Sequence, residues 1–247
     1  MSFLFIGHRG TRVSFDENTM GAFKAAIKAG ANYIEFDVRK SRDGKLIIFH
    51  DDTLDRMIKK SGKIEEVTLS RIKNLRTHKQ KEKIPQLKEI IKKFKKRVNF
   101  MIELKSNGIQ QKVIRIIKKE NITTQSIISG RDYKRLIQLK EENPEIQICY
   151  NITKGEGLTL QDFLSNNNRS IDISHFEMIS LRSSLISQKF IDTCHGLGIR
   201  ALAWDFIDLR EPANNIKEII SMGIDGILFD NYQNISLIKR WMEENLN

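Results

Sequence analysis

The chain has 247 residues, 40% of them hydrophobic, and a formal charge of +11 from 42 Lys and Arg against 31 Asp and Glu. That length suits one α/β barrel, and the apolar content is adequate for a single large core. No apolar run approaches the roughly 20 residues of a membrane helix, and sparse aromatics without a recognition motif argue against nucleic acid, so the excess charge favours anionic partners in general.

In chain order the pattern alternates between strand-like and helix-like stretches. An apolar run over 3–7 predicts the first strand; it lacks the basic region, long apolar stretch and cleavage site of a leader, and reads as the start of a mature cytoplasmic protein. A helix follows over 20–29, with Thr19 as cap and Gly30 as stop, then a strand over 33–38. Asp43 and Gly44 predict a turn into strand material over 45–49, which delivers His50. Residues 51–98 form a polar insertion. It contains Pro85 and a basic helix whose Leu87, Ile90, Ile91 and Phe94 recur at helical spacing, giving an inward apolar face and a basic face in water, with membrane-surface docking as the lesser alternative.

A strand over 99–105 resumes the alternation. Helix 109–119, strand 126–129, helix 133–142, strand 145–150, a short helix 160–164, strand 177–180, helix 188–195, strand 200–204, helix 214–222, strand 226–229 and helix 233–244 complete it. Eight such repeats predict a (β/α)8 TIM barrel as one domain over 1–247. An open doubly wound sheet is the runner-up, without the Gly-rich dinucleotide fingerprint that would support it. The cysteines, Cys149 and Cys194, have no C-x-x-C spacing; a reducing compartment fits, with one disulfide as the alternative.

Glu35 and Asp37 are two apart on a strand, so both carboxylates leave one face of an apolar segment. Buried together they need a cation or donors; a hard metal ion and a salt-bridged pair on a half-exposed strand both answer that need. Glu103 and Lys105 repeat the spacing and bring a third carboxylate with a cation, or an internal ion pair. Three carboxylates suit Mg²⁺ or Ca²⁺ better than zinc. Barrel enzymes carry their sites at the C-terminal ends of strands, where His8, Glu35, Asp37, His50, Glu103, Lys105, Trp204 and Asp230 all fall. Alone, His8 or His50 reads as a structural histidine; together, beside three carboxylates, they read as an acid/base pair. His78, His175 and His195 lack such neighbours and read as structural or surface residues.

Gly7-His8-Arg9-Gly10, Glu17-Asn18-Thr19, Glu35-Phe36-Asp37-Val38, Asp43-Gly44 with Phe49-His50-Asp51, and Glu103-Leu104-Lys105 together resemble the motif set of the glycerophosphodiester phosphodiesterase family. The resemblance implies a metal-dependent enzyme that cleaves a small anionic phosphodiester, such as glycerophosphocholine or glycerophosphoethanolamine, to glycerol 3-phosphate and an alcohol. In related enzymes the glycerol 2-hydroxyl is proposed as first nucleophile, giving a cyclic phosphate that water opens. Carried onto this sequence, Glu35, Asp37 and Glu103 would hold the metal, and His8 and His50 would divide the proton transfers; the sequence does not say which is base, and His8 as base with His50 as acid is the working hypothesis. Arg9, Lys105, Glu17 and Trp204 face phosphate or glycerol. Trp204 alone reads as core plug or substrate platform, Glu17 as the start of the first helix or a substrate-side group, and Asp230 is expected to cap the loop that follows it. Asp16 stands where the family usually has proline, and Asp205-Phe206-Ile207-Asp208 departs from its usual Thr and Asn. A lysophospholipase D acting at a membrane surface and a non-catalytic anion-binding barrel are the rival readings.

Overall fold

Eight strands read as near-continuous apolar runs because both of their faces are covered, which is the signature of a parallel sheet wrapped in helices. A computed structural model describes residues 2–165 and 173–246. Its strands are β1 Leu4–Gly7, β2 Tyr33–Lys40, β3 Leu46–Ile48, β4 Asn99–Leu104, β5 Ser126–Gly130, β6 Gln147–Asn151, β7 Met178–Arg182, β8 Arg200–Trp204 and β9 Gly226–Phe229. The helices are α1 Met20–Lys28, α2 Asp55–Ile58, α3 Leu69–Ile72, α4 Leu87–Phe94, α5 Gln110–Lys119, α6 Tyr133–Glu142, α7 Leu160–Ser165, α8 Gln188–Gly196, α9 Pro212–Ser221 and α10 Tyr232–Asn245.

β1 pairs in parallel with β9 on one side and with β2 on the other, so the sheet closes into a barrel and the open-sheet alternative is excluded. β3 is not a barrel strand. It returns antiparallel along the end of β2, with Leu46 opposite Lys40 and Ile48 opposite Val38, so His50 arrives on a hairpin above the barrel rather than at a barrel strand's end.

Side-chain alternation sorts the core into layers. Leu4, Ile6, Met101, Ile127, Met178, Leu202 and Leu228 fill the lumen. Phe23, Phe36, Phe94 and Phe100 belong to the larger cluster between barrel and helices. Because Ile34, Phe36 and Val38 face outward, Glu35 and Asp37 must face the lumen, where the register sets Asp37 beside Glu103. The basic helix α4 buries Leu87, Ile90, Ile91 and Phe94 as expected, and Gln86 with Glu89 form its capping box.

Between β3 and α4 the chain is less shapeless than its polarity suggests. Ile47, Phe49, Leu54, Ile58, Ile64, Ile72 and Ile84 form an apolar cluster of their own there. Cys149 and Cys194 are free and buried, and burial pushes the Cys149 thiol up to about 12. Among the described residues no helix is long and apolar enough to cross a membrane.

Gly7 sits where β1 meets α1. A Cβ there would stand 2.6 Å from both the Ala26 Cβ and the Gly10 carbonyl oxygen. Gly7→Ala is therefore expected to destabilise the fold by about 2 kcal/mol, read as a lower urea midpoint at unchanged slope.

Candidate active site

Past Gly7 the chain turns sharply, closed by the Gly10 N–H on the Gly7 carbonyl at 3.1 Å. Arg9 takes a left-handed conformation at φ 51°, uncommon for a side-chain-bearing residue and characteristic of functional turns. In this geometry its N–H donates to Glu35 Oε2 at 2.7 Å, while its guanidinium reaches Glu17 at 2.8 Å and lies 3.4 Å from Asp37. Asn18, also left-handed at φ 60°, donates its amide to Asp37 Oδ2 at 2.8 Å.

Glu35, Asp37 and Glu103 each offer an oxygen, and these oxygens all lie within 4.8 Å of one another. Lys105 Nζ stands 2.5 Å from Glu103 and 3.3 Å from Asp37. Burial raises all three carboxylates; against it, Lys105 holds Asp37 and Glu103 below the usual carboxylate range, with Arg9 and Arg131 adding to the effect. For Glu35 burial, then Asp37 and Glu103, outweigh the opposing charge and N–H of Arg9 and push it well above the ordinary value. Glu35 Oε1 and Asp37 Oδ1 are buried without a hydrogen-bond partner. Orphaned oxygens on converging carboxylates fit a hard, oxygen-seeking divalent cation.

Each histidine leans on a carboxylate that an arginine also holds. His8 Nδ1 meets Asp230 Oδ1 at 2.7 Å, and Arg12 donates to the same oxygen at 3.0 Å. His50 Nδ1 meets Asp51 Oδ1 at 2.7 Å, and Arg56 grips Asp51 from Nε at 2.7 Å. Despite burial, these partners keep Asp230 and Asp51 far down, hence ionised. Asp230 is thus not mainly a loop cap: its other oxygen accepts the Phe206 N–H, in the loop after β8, and its first orients His8. Glu17 does not cap α1, a task that falls to Thr19. It joins Arg9 and Arg56 at 2.8 and 2.5 Å, with Arg12 at 3.6 Å.

Trp204 stands between core and cleft. It belongs to the lumen cluster, yet it lines the cleft with His8, Arg9, Glu35 and Glu103. Arg131 and Arg182 lie 5.9 and 5.3 Å from its ring centre, and His8 meets it edge-on at 6.2 Å. Glu17 and His50 line an adjoining cleft with Asn18. Asp37 links the two through Asn18 and Lys105. Sequence reasoning gave no role to Arg12, Asn18, Asp51, Arg56 or Arg131. Asp51, directly after His50, was the most readable of these; the arginines lie on loops with no period to mark them. His78 is exposed and borders a cleft shared with Arg12, Glu17 and Arg56, while His195 pairs with Asp225 at 2.9 Å.

Comparisons with known proteins place the chain as follows. The model of the Glycerophosphoryl diester phosphodiesterase family matches residues 8–234. A glycerophosphodiester phosphodiesterase of Caldanaerobacter subterraneus subsp. tengcongensis is 29% identical over 97% of this chain and 99% of its own. One of Bacillus altitudinis is 32% identical over 90% of this chain and 92% of its own. Among solved structures, an Oleispira antarctica phosphodiesterase in complex with the product sn-glycerol-3-phosphate superposes with a TM-score of 0.79 at 24% identity, covering 96% of both chains.

Arg9 and Arg56 hold Glu17 at about 2, against the burial that would raise it from 4.5. A depressed carboxylate stabilises the fold above its unfolded value and loses that contribution as pH falls through the folded one. Glu17→Gln is expected to lower unfolding free energy by about 2–3 kcal/mol at pH 7. The gap to the parent should close between about pH 4.5 and 2 in denaturation curves taken at stepped pH.

Proposed function

The chain belongs to the glycerophosphoryl diester phosphodiesterase family, and we propose that it hydrolyses small glycerophosphodiesters, such as glycerophosphocholine or glycerophosphoethanolamine, to sn-glycerol 3-phosphate and an alcohol. The observation that carries this reading is the meeting of two histidine–carboxylate dyads with a three-carboxylate cluster in one barrel mouth. The product held by the Oleispira antarctica relative supports the glycerol 3-phosphate half of the substrate.

Glu35, Asp37 and Glu103 would hold one Mg²⁺ or Ca²⁺, whose positive charge, when bound, offsets that of the phosphodiester and of the oxygens on which charge builds. The guanidinium of Arg9 is buried against the same cluster and adds fixed positive charge where a phosphate would enter. Asp230, kept ionised, favours the His8 tautomer with hydrogen on Nδ1, leaving Nε2 as the free acceptor, which is the state a general base requires. His50 is more open, with 27% of its side chain exposed, and sits at the rim through which a departing alcohol reaches water. A proton donor to the leaving oxygen belongs there. Trp204 presents an apolar face to the glycerol carbons.

The deciding assay is release of glycerol 3-phosphate from glycerophosphocholine by the purified protein with Mg²⁺ or Ca²⁺, then with EDTA. Turnover is expected with metal and absent with EDTA; turnover that survives the chelator removes the metal from the reading, and none with either metal removes the substrate class. Asp230→Asn should lower kcat by roughly 10²–10⁴ with KM little changed. In pH–rate profiles, His8→Ala should erase the acid limb and His50→Ala the alkaline limb of the residual activity. The opposite pattern exchanges their roles.

A further inference from the structure

Away from the mouth, α4 and α5 splay apart and leave a groove of about 290 Å³ on the flank of the barrel. Its walls carry Lys45, Lys88, Lys112, Arg115 and Lys119, and its floor includes Leu46 and Ile116. Lys112, Arg115 and Lys119 recur at i, i+3 and i+7, one face of α5. Lys112 Nζ reaches over the groove's upper end to the Gly44 carbonyl at 3.4 Å. No carboxylate lines the groove, and among the described residues none of the five cations forms an ion pair. The acidic residues on the flanking segments are turned to other partners: Asp43 to Ser41 and the Leu69 N–H, Glu89 to Gln86, and Glu120 to Lys95. Five cations converging unpaired repel one another, so this groove is complementary to an anion that brings apolar surface with it.

We propose that this groove docks the protein on a bilayer surface rich in anionic phospholipid, its rim of cations taking the headgroup phosphates. The apolar floor and the absence of a lining aromatic fit lipid better than a nucleic-acid strand, which would ask for stacking surfaces. The groove's upper end lies beside the C-terminal end of β2, where Leu46 pairs with Lys40, so it opens toward the same rim as the active site. Resting on the proposed reaction, the arrangement would place the enzyme where its substrates arise, since glycerophosphodiesters are formed when both acyl chains are removed from membrane phospholipids.

Vesicle co-sedimentation tests this on the full chain, comparing neutral phosphatidylcholine vesicles with vesicles enriched in phosphatidylglycerol. The parent protein should sediment only with the anionic vesicles, less so at raised salt. Lys112→Ala/Arg115→Ala should bind them roughly thirtyfold more weakly, since each basic residue near such a surface contributes about a factor of five. Lys134→Ala/Lys189→Ala, which removes the same net charge from exposed positions on other helices, should bind as the parent does. An equal loss in both double variants, equal binding to neutral vesicles, or release by short duplex DNA at low concentration would overturn the proposal. Hydrolysis of soluble glycerophosphocholine, followed in parallel, should match the parent in both variants, so failure of the docking site and failure of the proposed reaction are read separately.

Discussion

Three carboxylates brought within 4.8 Å of each other inside a barrel form an arrangement that would disperse if the chain were free to move. The barrel does not leave it free. Glu35 and Asp37 are fixed by the outward burial of Ile34, Phe36 and Val38, and Glu103 is fixed beside Asp37 by the strand register. The energy to hold like charges together therefore comes from the apolar cluster on the other face of the same strands. What surrounds the carboxylates is compensation: Lys105 and Arg9 by charge, Asn18 and the Arg9 N–H by hydrogen bonds. Glu35 Oε1 still stands without a partner and Asp37 Oδ1 has only the Lys105 charge at 3.3 Å, the local deficit that a divalent cation would fill.

A second layer of organisation runs through Glu17. One buried carboxylate collects Arg9, Arg12 and Arg56, and these three lead in turn to the carboxylate cluster, to the Asp230–His8 dyad and to the Asp51–His50 dyad. The two histidines come from different kinds of structure, one from a barrel strand and one from a hairpin above it, yet the arginines anchored on Glu17 tie them to one frame. Its buried arm, Glu17 with Arg9 and the Asp230–His8 pair, is the strong part, whereas Arg56 and His50 remain open to water.

The fold and the carboxylate cluster were legible in the sequence for a common reason: both depend on short-range periodicity. Alternation of two along β2 put Glu35 and Asp37 on one face, and strands separated by helices forced a parallel barrel. The antiparallel β3 escaped, because a three-residue apolar run does not say which way it will pair. So did the working partners of the histidines. Asp230 lies 222 residues from His8, and only closure of β9 against β1 makes them neighbours. Glu17 read equally as a helix start or a substrate-side group, because helix starts favour carboxylates; its partners, Arg9 and Arg56, meet it through a left-handed turn and a distant loop. The apolar cluster around Ile58, Ile64 and Ile72 was hidden by the lysines interspersed with it.

That small cluster has a consequence for how the molecule can change over evolutionary time. The segment between β3 and α4 keeps its own apolar interior, and one charged handle to the barrel is Arg56 on Glu17. It forms one wall of the mouth, with Met57 and Ile84 beside His50, and contributes none of the converging carboxylates. Substitutions on that apolar wall, away from His50, Asp51 and Arg56, can reshape what the mouth admits without touching the groups proposed to break the bond. Selection can thus act on substrate choice and on bond cleavage as partly separate traits, one carried by the apolar wall of the inserted segment and the other by the strand ends beneath it together with His50.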